Sequence, residues 1–111
     1  MRKDIQKILD ATHDAMIAVD TNGVVTLFNK SAEKLTGKKS SEVWGKKVET
    51  VIDNTRRPII LETGKSELNQ QQPLNDITII TNRMPVLDDD GAIIGAIAVF
   101  RDVSELAELA E

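Results

Sequence analysis

The guanidinium groups of Arg56, Arg57 and Arg83 have the chemistry in this sequence that is best suited to binding a ligand. A guanidinium binds a carboxylate through two parallel hydrogen bonds, so these side chains favour a small anionic metabolite. The alternative is that they remain in solvent or pair with carboxylates of the chain, namely Asp53, Glu62 or Asp102. Both interpretations stay open at the level of sequence.

Asn29 and Trp44 are two further candidates for contact with a ligand. Asn29 precedes a predicted helix, where an asparagine side chain commonly accepts a hydrogen bond from the first turn. It therefore serves either as a helix cap or as a ligand contact. Trp44 is the single tryptophan, and it either anchors the surrounding short helices or lines the mouth of a pocket.

Three other features look like known sites, but simpler explanations exist for them. Residues 64–66 (Gly-Lys-Ser) match the end of a phosphate-binding loop, yet position 59 is Ile59 where that motif needs glycine, so Gly64 is interpreted as a helix C-cap. Residues 88–91 (Asp-Asp-Asp-Gly) lack the spacing of a calcium loop and are interpreted as a hairpin turn. His13, the single histidine, is interpreted as a surface residue.

Composition excludes several classes of function. The chain has 111 residues, no cysteine, one histidine and a net charge of −4. These values argue against disulfides, thiolate metal sites, a cysteine nucleophile and general nucleic-acid binding. We find no apolar run of membrane-spanning length, no signal-peptide core, no catalytic triad and no metal-ligand set. The sequence therefore predicts a single cytoplasmic domain that is not an enzyme.

Charge is unevenly distributed along the chain. Residues 30–47 contain six lysines and two glutamates, a local charge of +4, whereas residues 88–111 have a local charge of −6. Either these are two solvated faces, or they are complementary surfaces within a dimer or toward a neighbouring domain.

Hydrophobic spacing predicts the elements of the first half of the chain. Ile5, Ile8 and Leu9 recur at helical intervals and predict an N-terminal helix over residues 1–12. Residues 15–19 and 24–28 predict two strands of a hairpin, because the turn between them contains Asn-Gly. A helix capped by Asn29 or Ser31, a single turn at 40–44 and a helix over 55–62 follow.

The second half of the chain is predicted to be β-structure. Strands are expected at 66–74, 77–87 and 92–103, and Pro85 requires a strand edge or a bulge because it lacks an N–H donor. Both faces of the last strand are apolar, so the sheet must be covered twice. The central helices can cover one face, and the N-terminal helix or a partner chain the other. Residues 104–111 begin a further helix.

The order of these elements and their residues resembles the PAS family over essentially the whole chain. The segments that carry the resemblance are residues 8–11, 16–20, 23–33, 35–37, 43–46, 90–91, Gly95 and 101–105. The resemblance implies an α+β fold, with a five-stranded antiparallel sheet, short helices on one face and an N-terminal flanking helix. It also implies that Arg56 or Arg57 lines one side of a cup and Arg83 the facing strand.

Residues 54–56, 61–65 and 81–86 look most like the sensory PAS domains of bacterial sigma-54-dependent transcriptional regulators. That similarity implies an attached AAA+ ATPase domain and a helix-turn-helix domain. The alternatives are a PAS domain of a sensor histidine kinase and a ligand-free dimerisation module. The family's haem histidine and flavin-binding cysteine have no counterparts at the matching positions. Haem and cysteinyl flavin are therefore not expected, and any cofactor or ligand is of unknown identity, with a small organic molecule as the candidate.

These expectations divide the chain into a flanking helix (1–13), a PAS domain (14–103) and the start of an exit helix (104–111). The domain is predicted to bind a small molecule, to form a homodimer through Ile5, Ile8 and Leu9, and to signal through its exit. At that exit Asp102 would hold the corner between strand and helix, and Ser104 would cap the outgoing helix.

We predict that Ile8→Glu weakens self-association of the chain, because it places a charge in the apolar stripe of the N-terminal helix. Light scattering of the purified chain measures the effect, and Gln6→Glu adds the same charge outside the stripe as a control. If the wild-type chain scatters as a 12.2 kDa monomer at high micromolar concentration, the prediction is wrong.

Overall fold

The computed structural model describes residues 14–48, 63–74 and 76–103, which form a five-stranded antiparallel sheet with short helices. The strands are β1 (Ala15–Asp20), β2 (Val25–Phe28), β3 (Glu67–Leu74), β4 (Ile77–Leu87) and β5 (Ile93–Asp102). Their order across the sheet is β2-β1-β5-β4-β3. Within the described residues, the chain between β2 and β3 contains helices α1 (Lys30–Thr36) and α2 (Ser40–Val43). The predicted α+β fold is confirmed.

The β1–β2 turn forms around the carboxylate of Asp20. Its Oδ1 accepts hydrogen bonds from the backbone N–H groups of Asn22 (2.9 Å) and Val24 (3.0 Å). Gly23 takes a φ of 80°, which favours glycine. The strand after this turn begins one residue later than the sequence predicts, because Val24 instead forms an isolated bridge with Lys47.

The β4–β5 hairpin also turns on an aspartate. Asp88 Oδ1 accepts hydrogen bonds from the N–H groups of Asp90 and Ala92, both at 2.9 Å, as expected for a turn rather than a cation loop. Pro85 pairs with Ala96 of β5. Its other side has no β3 partner, since that pairing ends at Arg83. Pro85 therefore occupies a part of β4 that acts as a strand edge among the described residues, as predicted.

Asn29 caps helix α1 and also binds strand β1. Its Oδ1 accepts hydrogen bonds from the N–H groups of Ala32 (3.0 Å) and Met16 (2.9 Å), and its Nδ2 donates to the carbonyl of Asp14 (3.0 Å). The side chain is fully buried. Of the two caps that the sequence allows, the structure uses Asn29 rather than Ser31.

The end of helix α1 follows from local hydrogen bonds. The helix reaches Thr36, whose Oγ1 donates to the carbonyl of Ala32 (2.6 Å), and it ends at Gly37 with a φ of 75°. Helix α2 starts nearby, where the N–H of Ser40 donates to Oε2 of Glu33 (2.7 Å). These contacts hold the two helices together beside the sheet.

The hydrophobic core lies between these helices and one face of the sheet, which we call the inner face. Alternate residues of the strands point into it, because side chains alternate between the two faces of a strand. The core members on the strands are Ala15, Ile17, Val19, Val25, Phe28, Ile79, Ala96 and Phe100, and those outside them include Ala32, Val43 and Val48. Gly95 permits close contact of β5 with β1, since a Cβ there would lie 2.3 Å from the carbonyl oxygen of Val19.

The opposite, outer face of the sheet is also apolar at its centre. Met16 pairs with Val99, and Ile97 pairs with Ala18 on one side and Met84 on the other. All five are partly buried. The expectation that both faces of β5 are apolar is therefore confirmed.

Several predicted elements lie outside the described residues: the N-terminal helix with Ile5, Ile8 and Leu9, the helix with Arg56 and Arg57, and the exit helix with Ser104. In the part of the chain that the structure describes, no helix has the length and apolar character needed to cross a membrane.

We predict that Asn29→Ala lowers the free energy of unfolding by about 2–4 kcal/mol, because it leaves buried backbone groups of β1 and α1 without partners. Urea denaturation measures the change. Asn22→Ala, in an exposed turn, is the matched control and should change stability by less than about 0.5 kcal/mol. Equal midpoints for the two variants would contradict the structural role of Asn29.

Candidate functional site

The inner face of the sheet changes from apolar to polar between its centre and the β3 edge. Paired residues form rows across strands β1, β5, β4 and β3. One row consists of Ala15, Phe100, Thr81 and Gln70, and the next of Ile17, Ala98, Arg83 and Glu67. Because directly paired residues share a face of the sheet, the polar members lie on the same surface as the core.

Arg83 and Glu67 are the charged residues of these two rows, and Arg83 is only 5% exposed. Its Nη2 donates a hydrogen bond to Oε1 of Gln72 on β3. Gln72 pairs with Ile79, two rows away from Arg83. The Arg83 side chain therefore extends along the inner face and passes the row that contains Thr81.

Thr81 lies between Ile79 and Arg83 on the inner face and is 2% exposed. Its Oγ1 has no hydrogen-bond partner among the described residues. Buried hydroxyl groups are nearly always hydrogen-bonded, since the loss of water must be compensated. We call Gln72, Thr81 and Arg83 the polar corner.

Ala98 lies beside the polar corner. It stands on β5 between Ile17 and Arg83, both of which are buried, and it packs against the core while remaining partly exposed. The inner face thus combines a small apolar side chain with the polar groups of the corner.

The other candidates from the sequence do not join the polar corner. Asn29 uses both polar atoms of its amide on backbone groups, so the structure supports its role as a cap. Trp44 is 58% exposed, and its Nε1 donates to the carbonyl of Thr26 on β2 (3.2 Å). Strand β2 is three positions from β4 in the sheet, so the structure does not bring Trp44 together with Arg83. Arg56 and Arg57 lie outside the described residues.

The end of β5, which we call the exit of the domain, is joined to β4 by a backbone hydrogen bond. Asp102 is the last residue of β5, is exposed, and is followed by Val103, whose N–H donates to the carbonyl of Thr78 (2.9 Å). Asp102 lies two positions after Phe100, which contributes to the core in the same row as Thr81. The inner face and the exit are therefore joined by one strand.

Sequence reasoning missed Thr81 and Gln72. A signal for Thr81 was present, because Thr81 and Arg83 lie two and four positions after Ile79 and therefore share its face of the strand. Gln72 stands in a run of three glutamines, and this run does not distinguish one face of β3 from the other. Within residues 14–48, 63–74 and 76–103, no group of three or more His, Asp or Glu side chains is placed to hold a metal ion.

Comparison with known proteins shows two related curated sequences. The family model described as "PAS fold" matches residues 3–103. Sensor protein CitS of Halalkalibacterium halodurans is 36% identical over 108 residues, which cover 96% of this chain and 20% of that protein. Sensor histidine kinase DcuS of Escherichia coli K12 is 30% identical over 94% of this chain and 20% of that protein. The chain thus spans 20% of the length of these relatives.

A solved structure agrees in fold. Histidine kinase ThkA, in complex with response regulator protein TrrA, superposes with a TM-score of 0.82 at 23% identity, over 95% of this chain and 33% of that chain. The relatives named here are sensor proteins, which supports the histidine-kinase alternative better than the sigma-54 interpretation. They lend no support to attached AAA+ and helix-turn-helix domains. The match over residues 3–103 shows that this chain is a signal-sensing domain and belongs to the PAS family.

Proposed function

We propose that this chain is the sensory input domain of a sensor histidine kinase. The main support for this proposal is the similarity to sensor proteins CitS and DcuS over more than nine-tenths of the chain. The chain itself performs no reaction in this scheme. It binds a small molecule and alters the activity of a kinase region elsewhere in the same protein.

The polar corner supports a ligand-binding role over a ligand-free dimerisation module. A core that only stabilises a fold is best filled with apolar side chains, since a buried hydroxyl without a partner costs free energy. Here Thr81 and Arg83 occupy buried inner-face positions of β4, beside the partly exposed Ala98. A ligand that contacts these groups supplies what the core lacks.

Strand β5 is suited to transmit binding to the exit. It is paired with β1 on one side and with β4 on the other, and it ends at Asp102. Ala98 and Phe100 face the ligand-binding surface, so a shift of β5 against β4 moves the exit as well. A ligand drives such a change only if it binds the two arrangements with different affinity.

The outer face supports homodimer formation. Met16, Met84, Ile97 and Val99 form an apolar centre on this face and are each partly exposed. A two-fold dimer places the same surface of both copies in contact, which covers apolar groups of each. The apolar stripe of residues 1–12 is the second component of this interface in our proposal.

We predict that Asp102→Ala in the longer protein alters autophosphorylation severalfold while costing only about 1 kcal/mol of stability. The physical reason is that the carboxylate holds the corner between β5 and the segment that follows. Autophosphorylation with labelled ATP and thermal unfolding of the same preparation measure the two effects.

Asp89→Ala is the matched control, because Asp89 is exposed in the β4–β5 turn and far from the exit along the strand. It should leave autophosphorylation unchanged. A longer protein that incorporates no phosphate on histidine contradicts the kinase proposal. Equal activity of Asp102→Ala and the wild type contradicts the role of Asp102.

A further inference from the structure

The side chain of Trp44 is held at the β2 edge of the sheet with its ring exposed. It is 58% exposed, and its Nε1 donates a hydrogen bond to the carbonyl of Thr26 (3.2 Å). The residues that follow are fixed as well. The N–H of Gly45 donates to the carbonyl of Val25 (3.0 Å), and the carbonyl of Lys46 accepts from the N–H of Val25 (2.9 Å). Because the indole N–H is already bonded to the protein, the ring can leave water without leaving that donor unpaired.

The chain around Trp44 is basic, although the protein as a whole is acidic. Residues 30–47 contain six lysines and two glutamates, whereas the whole chain has a net charge of −4. The Glu33 carboxylate accepts a hydrogen bond from the backbone N–H of Ser40 (2.7 Å), and Glu42 is exposed. The segment therefore carries an excess of positive charge that its own acidic residues do not balance.

Two exposed lysines flank Trp44 in the chain, and we call Lys39, Trp44 and Lys46 the basic edge. Lys39 directly precedes helix α2, Trp44 directly follows it, and Lys46 lies on the segment that is bonded to β2. Asp20 in the β1–β2 turn uses its Oδ1 on two backbone N–H groups. The acidic β4–β5 turn lies beyond β1, at least about 10 Å from β2 at the usual strand spacing. Its charge is largely screened over that distance at physiological salt.

The type of the basic residues indicates which kind of anion fits them. All six basic residues of segment 30–47 are lysines, and none is arginine. Arginine recognises one carboxylate through two parallel hydrogen bonds, whereas a lysine ammonium is a compact point charge on a flexible stem. Lysines therefore suit a diffuse anionic surface better than a single acidic side chain. An exposed tryptophan ring adds apolar area of the kind that enters the headgroup region of a bilayer.

We propose that the basic edge binds the surface of a bilayer that contains anionic lipids. The Trp44 ring lies at the level of the headgroups, and the ammonium groups of Lys39 and Lys46 lie next to lipid phosphates. Such a contact fixes the orientation of the domain relative to the bilayer. It goes beyond the proposed function and does not rest on it, because it requires neither a small-molecule ligand nor a kinase region.

Trp44 is the single tryptophan of the chain, so its fluorescence reports the contact directly. The 111-residue chain is mixed with vesicles of phosphatidylcholine alone, or with vesicles of phosphatidylcholine and phosphatidylglycerol in equal amounts. We expect the emission to move to shorter wavelength with the anionic vesicles, since the ring leaves water, and to stay unchanged with the neutral ones. Added salt should reverse the shift, because it screens the attraction between lysine and lipid charges.

Variants of the basic edge separate the two contributions. Lys46→Glu should weaken co-sedimentation with the anionic vesicles by about tenfold or more, because it replaces attraction by repulsion. Lys65→Glu makes the same change of charge at an exposed position before β3, at the opposite edge of the sheet, and is the matched control. Trp44→Ala should weaken co-sedimentation severalfold through the loss of apolar contact. Thermal unfolding of each variant verifies that it is folded.

Three results overturn the proposal. The first is the absence of both a fluorescence shift and co-sedimentation with the anionic vesicles. The second is co-sedimentation of Lys46→Glu or Trp44→Ala equal to that of Lys65→Glu. The third is a fluorescence shift with polyglutamate but not with the vesicles, which would assign the basic edge to an acidic protein segment. Autophosphorylation of the longer protein tests the proposed function separately from all three.

Discussion

The buried amide of Asn29 joins the sheet to the helical layer that covers it. The chain leaves the sheet after Phe28, and at that point the orientation of α1 over the inner face must be set. Asn29 sets it with three hydrogen bonds, one to Met16 of β1, one to Asp14 just before β1 and one to the first turn of α1. Inside a protein such bonds are strong, and leaving their partners unpaired is costly. The position of Ala32 against the core depends on this joint.

The inner face that this joint encloses combines an apolar core with buried polar groups. Its β1 side consists of small and aliphatic residues, whereas its β3 side contains Gln72, Thr81 and Arg83. A domain of this size buries a limited area, so its net stability is small. Buried polar groups without compensation are therefore expected where function requires them rather than where folding does.

Strand β5 connects the three surfaces to which the proposed function assigns roles. Its inner residues adjoin the polar corner, its outer residues form the apolar centre of the opposite face, and its end carries Asp102. A packed sheet transmits displacement along such a strand because its interior is close-packed. In the proposed scheme, a ligand, a partner chain and an effector region therefore act on one structural element.

The resemblance to sigma-54 regulators shows where sequence similarity stops being informative. One of the segments that carried it, residues 81–86, is a stretch of β4 in which Thr81 and Arg83 alternate with outward-facing residues. That pattern reflects the position of the strand in the sheet and the surface it helps to form. It does not depend on which effector follows, since one fold serves many outputs. Similarity to sensor proteins over nearly the whole chain is the better guide.

Local residue preferences in the sequence were sufficient to predict the turns, the helix cap and the faces of the strands. Residues within a few positions of one another determine both described hairpin turns, the cap at Asn29 and the end of α1 at Gly37. They also determine the edge position of Pro85. The same holds for the two apolar faces of β5, because alternation along a strand is a local pattern. Turn and cap preferences act over such short distances that tertiary contacts left them nearly unchanged.

Tertiary structure decided which residues meet. Gln72 and Arg83 are eleven positions apart in the chain, and only the register of β3 with β4 brings them together around Thr81. The exposure of Trp44 and the second role of Asn29, on β1, likewise depend on packing between distant segments. Sequence periodicity tells which face of a strand a residue occupies. It does not tell which residue lies opposite, because a shift in register would change every partner while the pattern stayed the same.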